Sequence, residues 1–100
     1  MRVIEKFKTD KGYIVYKMRN IDAIQIFNGF GICDTCSSLT RYGYYIPVLN
    51  HYKCEHCFNV WKKLCIYYPE DLWFEEAYIK HVDKIIKQSK EMKLIDTLKG

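Results

Sequence analysis

The sequence lacks the features that mark several large classes of protein. It has no run of eighteen apolar residues, so no segment predicts a transmembrane helix. It also has no glycine-rich phosphate loop, no serine in a nucleophile elbow and no H-E-x-x-H motif. The opening residues M-R-V-I-E-K lack the apolar core of an export signal. We therefore expect a cytoplasmic protein that is not an enzyme and has no catalytic residues.

Cysteine, by contrast, is frequent and regularly spaced. Four of the five cysteines form two C-x-x-C pairs, Cys33 with Cys36 and Cys54 with Cys57, and seventeen residues separate the pairs. Four thiolates at this spacing typically converge on one tetrahedral Zn²⁺, which then has no open position for catalysis. We therefore predict one structural zinc ion. Two disulfides are the weaker alternative because no export signal is visible, and replacement of one cysteine ligand by a neighbouring histidine is a minor alternative.

The N-terminal part of the chain has the pattern of a β-hairpin. Residues 2–8 and 13–19 are rich in β-branched and aromatic residues, and the turn between them ends at Gly12. Alternation places one set of apolar side chains of the second strand on a common face: Ile14, Tyr16 and Met18. Residues 20–28 fit either a short helix or a strand.

The segment around the second cysteine pair predicts two strands and a helix. Strands are expected at 44–49 and 52–54, the first at a sheet edge because Pro47 has no N–H for the ladder. A helical period follows, and Pro69 ends it. The residues on the apolar face of that helix are Cys57, Trp61, Leu64, Cys65 and Tyr68. A C-x-x-C turn (a zinc knuckle), a hairpin, a second knuckle and a helix in this order predict a treble clef. Cys65 is expected to be a thiol in its core.

The C-terminal part predicts a long amphipathic helix over residues 70–92. Acidic residues near its start and lysines near its end complement the helix dipole. Its apolar stripe comprises Leu72, Phe74, Tyr78, Ile79, Val82, Ile85 and Ile86. Trp73 falls opposite the stripe, which leaves it as a candidate contact for a partner. We expect the helix to break near Lys90, before a short tail.

These elements make one α+β domain over residues 1–100. It divides into an N-terminal hairpin region at 1–30, a zinc module at 31–68, and a C-terminal helix and tail at 69–100. Tyrosines cluster in the zinc module, and the candidates for partner binding are Arg41, Tyr42, Tyr44, Tyr45, Tyr52 and Trp73. Packing, a protein interface and base stacking remain open as explanations of the tyrosines.

The net charge is too small to identify a nucleic-acid-binding protein by itself. The formal charge is +4, and four thiolates with one Zn²⁺ lower it to about +2. The basic excess lies in the N-terminal third and the zinc module. Direct binding of DNA or RNA is therefore an alternative function. The residues for this alternative are Lys6, Lys8, Lys11, Lys17 and Arg19 of the hairpin, together with Arg41.

Four short motifs lie in and around the zinc module: C-D-T-C at 33–36, G-Y-Y-I-P-V-L-N at 43–50, C-E-H-C-F at 54–58 and Y-Y-P-E-D at 67–71. In these motifs the chain resembles small treble-clef or zinc-ribbon proteins of unknown function from bacterial mobile elements and phages. The resemblance implies an accessory protein without catalytic residues, and such elements often carry antagonists of host defence, including inhibitors of CRISPR nucleases. We therefore expect an inhibitor or adaptor that binds a protein or ribonucleoprotein partner, with no membrane contact.

Overall fold

A computed structural model describes residues 2–29 and 31–99, which form a five-stranded sheet with helices on both faces. In chain order the elements are β1 Arg2–Lys8, β2 Ile14–Arg19, α1 Asn20–Phe27, β3 Tyr42–Ile46, β4 His51–Lys53, α2 Glu55–Leu64, α3 Leu72–Gln88 and β5 Met92–Asp96. The strand order is β4-β3-β2-β1-β5, with β1 and β5 parallel and the other three neighbouring pairs antiparallel. The predicted α+β class is confirmed. Within the described residues, no helix has the length and apolar character needed to cross a bilayer.

The predicted N-terminal hairpin is present. β1 and β2 pair antiparallel with Glu5 opposite Lys17, and the connecting turn closes where the Gly12 N–H donates to the Thr9 carbonyl at 3.0 Å. Gly12 has φ 108°, a conformation that side chains on an L-residue rarely allow. The ambiguous segment after β2 is the helix α1, which ends where Asn28 adopts the left-handed conformation with φ 53°.

One face of the sheet packs against α1 and α3. Its buried cluster comprises Ile4, Ile14, Tyr16, Met18, Ala23, Ile26, Tyr45, Tyr52, Val82, Ile86 and Met92. Tyr52 reaches this cluster from β4 by crossing over Gly43, whose Cβ position would lie 2.2 Å from the Tyr52 Cζ atom. Only glycine at position 43 leaves room for the Tyr52 ring, and this contact lets the ring pack into the core on this face.

The opposite face is covered by α2 only in part. Phe58 of α2 stacks on Tyr44, with ring centroids 4.1 Å apart and an interplanar angle of 9°. Phe7 meets Phe58 edge-on at 6.4 Å, and Val15 and Ile46 are buried in the same cluster. Beyond α2 the side chains of this face are exposed or half-buried, and they are Val3, Glu5, Lys17, Arg19, Tyr42, Lys93 and Ile95. This uncovered area is called the open face below.

The prediction of an edge strand at Pro47 is wrong. β3 lies between β2 and β4 and ends at Ile46. Pro47 follows in the turn to β4, where its carbonyl accepts from the Asn50 N–H at 3.1 Å. The missing N–H of the proline therefore interrupts no ladder hydrogen bond.

The predicted extent of the helix after the second cysteine pair is also wrong. α2 ends at Leu64, and the chain turns extended at Cys65, with φ −68° and ψ 150°. The Lys11 ammonium donates to the carbonyls of Lys63 at 2.5 Å and Cys65 at 2.8 Å, which satisfies the carbonyl groups that a helix end leaves free. Leu64 and Tyr68 are consequently exposed instead of lying on a buried helical face.

The C-terminal segment differs most from its predicted form. α3 ends at Gln88, and the residues expected to finish the helix and form a tail make strand β5 beside β1. Met92 and Leu94 pack toward α3, whereas Lys93 and Ile95 lie on the open face. The segment forms a strand because its apolar residues alternate with period two and because the edge of β1 is available to pair with it.

Candidate metal centre

The four predicted zinc ligands lie together at one end of the sheet. Cys33 and Cys36 come from the loop before β3, Cys54 precedes α2, and Cys57 lies in the first turn of α2. Their four sulfur atoms all lie within 4.8 Å of one another, and the Cys36 and Cys54 sulfurs are 3.7 Å apart. A tetrahedral Zn²⁺ with bonds of about 2.3 Å places its sulfurs about 3.8 Å apart. The residues present therefore fit a metal ion.

Backbone hydrogen bonds attach the first cysteine pair to the β3–β4 hairpin. The Asp34 N–H donates to the Tyr52 carbonyl at 2.8 Å, and the Tyr52 N–H donates to the Asp34 carboxylate at 2.7 Å. The Lys53 ammonium donates to the Thr35 hydroxyl. These bonds occupy the outer edge of β4, so the knuckle both protects that edge and aligns the two cysteine pairs.

The four thiols differ in how readily they ionise. Burial opposes ionisation of Cys33, but backbone N–H groups of Cys54, Cys36 and Thr35 donate to its sulfur and lower its pKa to about 6. Burial and the neighbouring thiols raise the pKa of Cys57 to about 12. Ionisation of all four adjacent thiols would therefore need a nearby positive charge, which a divalent metal ion would supply.

The competing assignments of the cysteines are not supported by the geometry. All five cysteines are free thiols, so neither pair forms a disulfide. His51 and His56 are exposed and lie outside the ligand group found in the described part of the chain. Cys65 is half-buried beyond the end of α2, where its thiol lies 3.7 Å from the Lys62 carbonyl. It is therefore separate from the metal centre.

The structure places most of the candidate tyrosines in the interior. Tyr45 and Tyr52 belong to the core under α1 and α3, and Tyr44 is buried under Phe58. Packing explains the presence of these three tyrosines, and their side chains are not available to contact a partner. Tyr42 and Trp73 are exposed, as is Arg41.

The basic residues proposed for nucleic-acid binding do not form one surface. Lys6 is buried and pairs with Asp83 at 2.8 Å and Asp96 at 3.7 Å. Lys11 is engaged at the end of α2, and Lys8 is exposed. The remaining three residues of the set, Lys17, Arg19 and Arg41, lie near one another beside Tyr42.

The structure adds three exposed apolar residues to Trp73, which the sequence had already indicated as a partner contact. Leu64, Ile66 and Tyr68 are exposed along the segment that joins α2 to α3, and Trp73 follows in the first turn of α3. These four residues are called the connector surface below. The signal that could have identified it is the alternation of Leu64, Ile66 and Tyr68, which fits an extended segment as well as a helical face.

Comparison of the chain with protein families, with curated proteins and with solved structures gives no match. The resemblance of residues 33–69 to treble-clef proteins of mobile elements therefore stays a prediction. The geometry of the four-cysteine cluster and of the exposed surfaces is the basis for the functional inference.

Proposed function

We propose that the protein is a zinc-stabilised binding protein that engages a partner protein or ribonucleoprotein and has no catalytic role. Four cysteine sulfurs within 4.8 Å of one another support a bound zinc ion, and its role would be structural because a site with four protein ligands has no position left for a substrate. The order of the first cysteine pair, the β3–β4 hairpin, the second pair and α2 supports a treble-clef arrangement. Reduced thiols of this kind suit the cytoplasm.

The observation that carries the proposal is the connector surface. Trp73 is 73% exposed and Ile66 is 64% exposed. Apolar side chains at such exposure contribute little to folding, and the four exposed residues all fall within residues 64–73. Exposed apolar groups concentrated in this way commonly mark contact sites. Tryptophan and tyrosine are also the side chains most enriched among residues that dominate binding energy at protein interfaces. A protein surface is therefore the ligand that this strip fits best.

The backbone of the connector is anchored so that its apolar side chains face outward. Tyr67 packs against Tyr13 with ring centroids 5.0 Å apart. The Tyr13 hydroxyl donates to the Ile66 carbonyl at 3.0 Å and accepts from the Tyr68 N–H at 3.0 Å. Because these contacts order the segment before any partner arrives, less conformational entropy is lost on binding.

An inhibitor or adaptor of a nucleic-acid-processing complex is the concrete form of this proposal. Both roles need contact and no chemistry, since an inhibitor blocks a surface and an adaptor joins two. The absence of catalytic motifs from the sequence supports such a role. Its connection with phages or mobile elements, and with CRISPR inhibition in particular, rests on the resemblance of the zinc module alone.

The test is capture of a partner from a lysate of the source cells with the zinc-loaded chain, followed by measurement of affinity for the purified partner. Trp73→Ala and Ile66→Ala should each weaken binding by about tenfold or more. Leu39→Ala is the matched control, because Leu39 is 69% exposed but lies in the loop before β3. A partner whose affinity is the same for Trp73→Ala, Ile66→Ala and Leu39→Ala would refute the proposal.

A further inference from the structure

A cluster of cations surrounds an exposed tyrosine on the open face. Arg19 lies opposite Tyr42 in the β2–β3 register, and its guanidinium carbon is 5.8 Å from the centre of the Tyr42 ring. The Lys17 ammonium is 5.9 Å from the same ring centre. Arg41 lies beside them at a shallow depression of about 270 Å³. These four residues, Lys17, Arg19, Arg41 and Tyr42, are called the open-face cluster below.

The open-face cluster has free charge and an accessible ring. Tyr42 is 48% exposed. Among residues 2–29 and 31–99, no carboxylate lies within ion-pair distance of the three cations. Glu5 faces Lys17 across the β1–β2 ladder, and Glu55 lines the depression. Lys93 adds a fourth cation on β5, so cations outnumber these two acids and the surface favours an anionic ligand.

We infer that the open-face cluster binds single-stranded nucleic acid. An unpaired base stacks on the Tyr42 ring, while phosphates contact the three cations around it. A duplex is a poorer ligand, because its bases stack on one another and offer no free face to Tyr42. This inference goes beyond the proposed function, since the cluster and the connector surface share no residue.

The test measures fluorescence anisotropy of labelled RNA and DNA of one unstructured sequence of about twelve nucleotides, titrated with the zinc-loaded full chain. With three phosphate contacts, the logarithm of affinity should fall against the logarithm of salt concentration with a slope of about −2. Tyr42→Ala should weaken binding by about tenfold without changing the slope. Arg41→Gln should reduce the magnitude of the slope by about 0.7.

Two matched controls separate this site from general adhesion. Ile24→Ala removes an isoleucine of α1 that is 41% exposed and belongs to neither surface, and Lys84→Gln removes an exposed lysine of α3. Both should retain the wild-type affinity and slope. Tighter binding of RNA than of DNA would support the inference and add a contact to the 2′-hydroxyl, and equal binding would support it through stacking and phosphate contacts alone.

Three results would overturn the inference. The first is an absence of binding to either strand at about 50 mM salt, where phosphate contacts are strong. The second is an equal loss of affinity in Tyr42→Ala and Ile24→Ala. The third is binding of a glutamate-rich peptide as tightly as the strands, with the same loss in Tyr42→Ala, which would assign the cluster to an acidic protein.

Discussion

One face of the sheet is closed by α1 and α3, whereas the opposite face is closed only where α2 lies, and the cysteine cluster lies beside the outer edge of β4. The closed face buries a continuous set of aliphatic and aromatic side chains from seven elements, among them Ile4, Tyr16 and Val82. The α2 side has a smaller aromatic cluster, next to four thiols that fit one metal ion. We therefore expect hydrophobic burial to be sufficient on the first side, and the second side to depend on coordination of a metal ion.

The two sides also differ in their charged groups. On the closed side, two buried charged residues have ion-pair partners: Lys6 pairs with Asp83, and Asp22 lies 2.9 Å from the Arg2 guanidinium. On the open face, Lys17 and Arg19 have no such acid partner in the described chain. A buried charge needs a partner because desolvation is costly, whereas an exposed cation remains free to meet a ligand. The binding surfaces are therefore expected on the incompletely covered side and at the connector.

Metal removal should have the largest effect on stability, and the α2 side should lose its structure first. A strong chelator, or Cys57→Ser, should lower the free energy of unfolding by an amount on the order of 10 kcal/mol, which approaches the whole stability of a small domain. Thermal denaturation followed by circular dichroism measures this change. Cys65→Ser is the control and should retain the metal, since Cys65 lies outside the cluster. Equal stability with and without metal would remove the distinction between the two sides.

A second experiment tests how tightly the closed side is packed. Gly43→Ala should lower the free energy of unfolding by about 3 kcal/mol, because its Cβ would lie 2.2 Å from Tyr52 Cζ. Gly29→Ala is the matched control, since the nearest atom to its Cβ is the Phe27 carbonyl oxygen at 4.0 Å. Urea denaturation compares the two variants. If Gly43→Ala were as stable as Gly29→Ala, the close packing of the Tyr52 ring against Gly43 would be refuted.

The buried carboxyl of Glu75 should make the closed side sensitive to pH. Burial raises the pKa of Glu75, and its carboxylate accepts from the Ile14 N–H at 3.0 Å. Between the ordinary and the raised pKa, the folded chain binds more protons than the unfolded chain, so stability falls as pH rises through that window. Glu75→Gln keeps an acceptor for the N–H and should flatten this part of the profile.

Glu75→Ala completes the series, because it leaves the Ile14 N–H without its acceptor. It should cost about 1–3 kcal/mol in the free energy of unfolding at all pH values. Urea denaturation across the acidic range provides both comparisons. A Glu75→Gln profile that declines with pH as steeply as the wild type would show that another group titrates there.

The smallest effect on stability is expected at the connector surface. Trp73→Ala should change the free energy of unfolding by less than about 0.5 kcal/mol, because the side chain is exposed. Trp61→Ala is the matched comparison and should cost about 2 kcal/mol, since Trp61 packs against Phe58 in the α2 cluster. Thermal denaturation ranks the two. A large loss for Trp73→Ala would identify Trp73 as a packing residue and weaken the interface proposal.

Features that depend on local spacing could be predicted from the sequence. The two cysteine pairs predict the ligand group, because a knuckle forms within a few residues and a hairpin brings two knuckles together. The N-terminal hairpin follows from two β-rich segments around Gly12. The long helix is predicted by the apolar period, although its end at Gln88 lies short of the expected residue 92.

Features that depend on distant partners could not be predicted in this way. β5 forms because β1 lies alongside it, with Met92 opposite Arg2 across ninety residues of chain. Glu75 has the pattern of an acid at a helix start, yet it is buried because the Ile14 N–H needs an acceptor. The burial of Tyr52 likewise depends on the space above Gly43, which belongs to another strand.

The central claim is that one metal ion held by four sulfurs organises the α2 side of the molecule. X-ray absorption spectroscopy at the zinc edge, on protein purified without added metal, tests it most directly. The expected result is one zinc per chain with four sulfur neighbours at about 2.3 Å from Cys33, Cys36, Cys54 and Cys57. A chain without stoichiometric metal, or a first shell that includes nitrogen, would contradict the account.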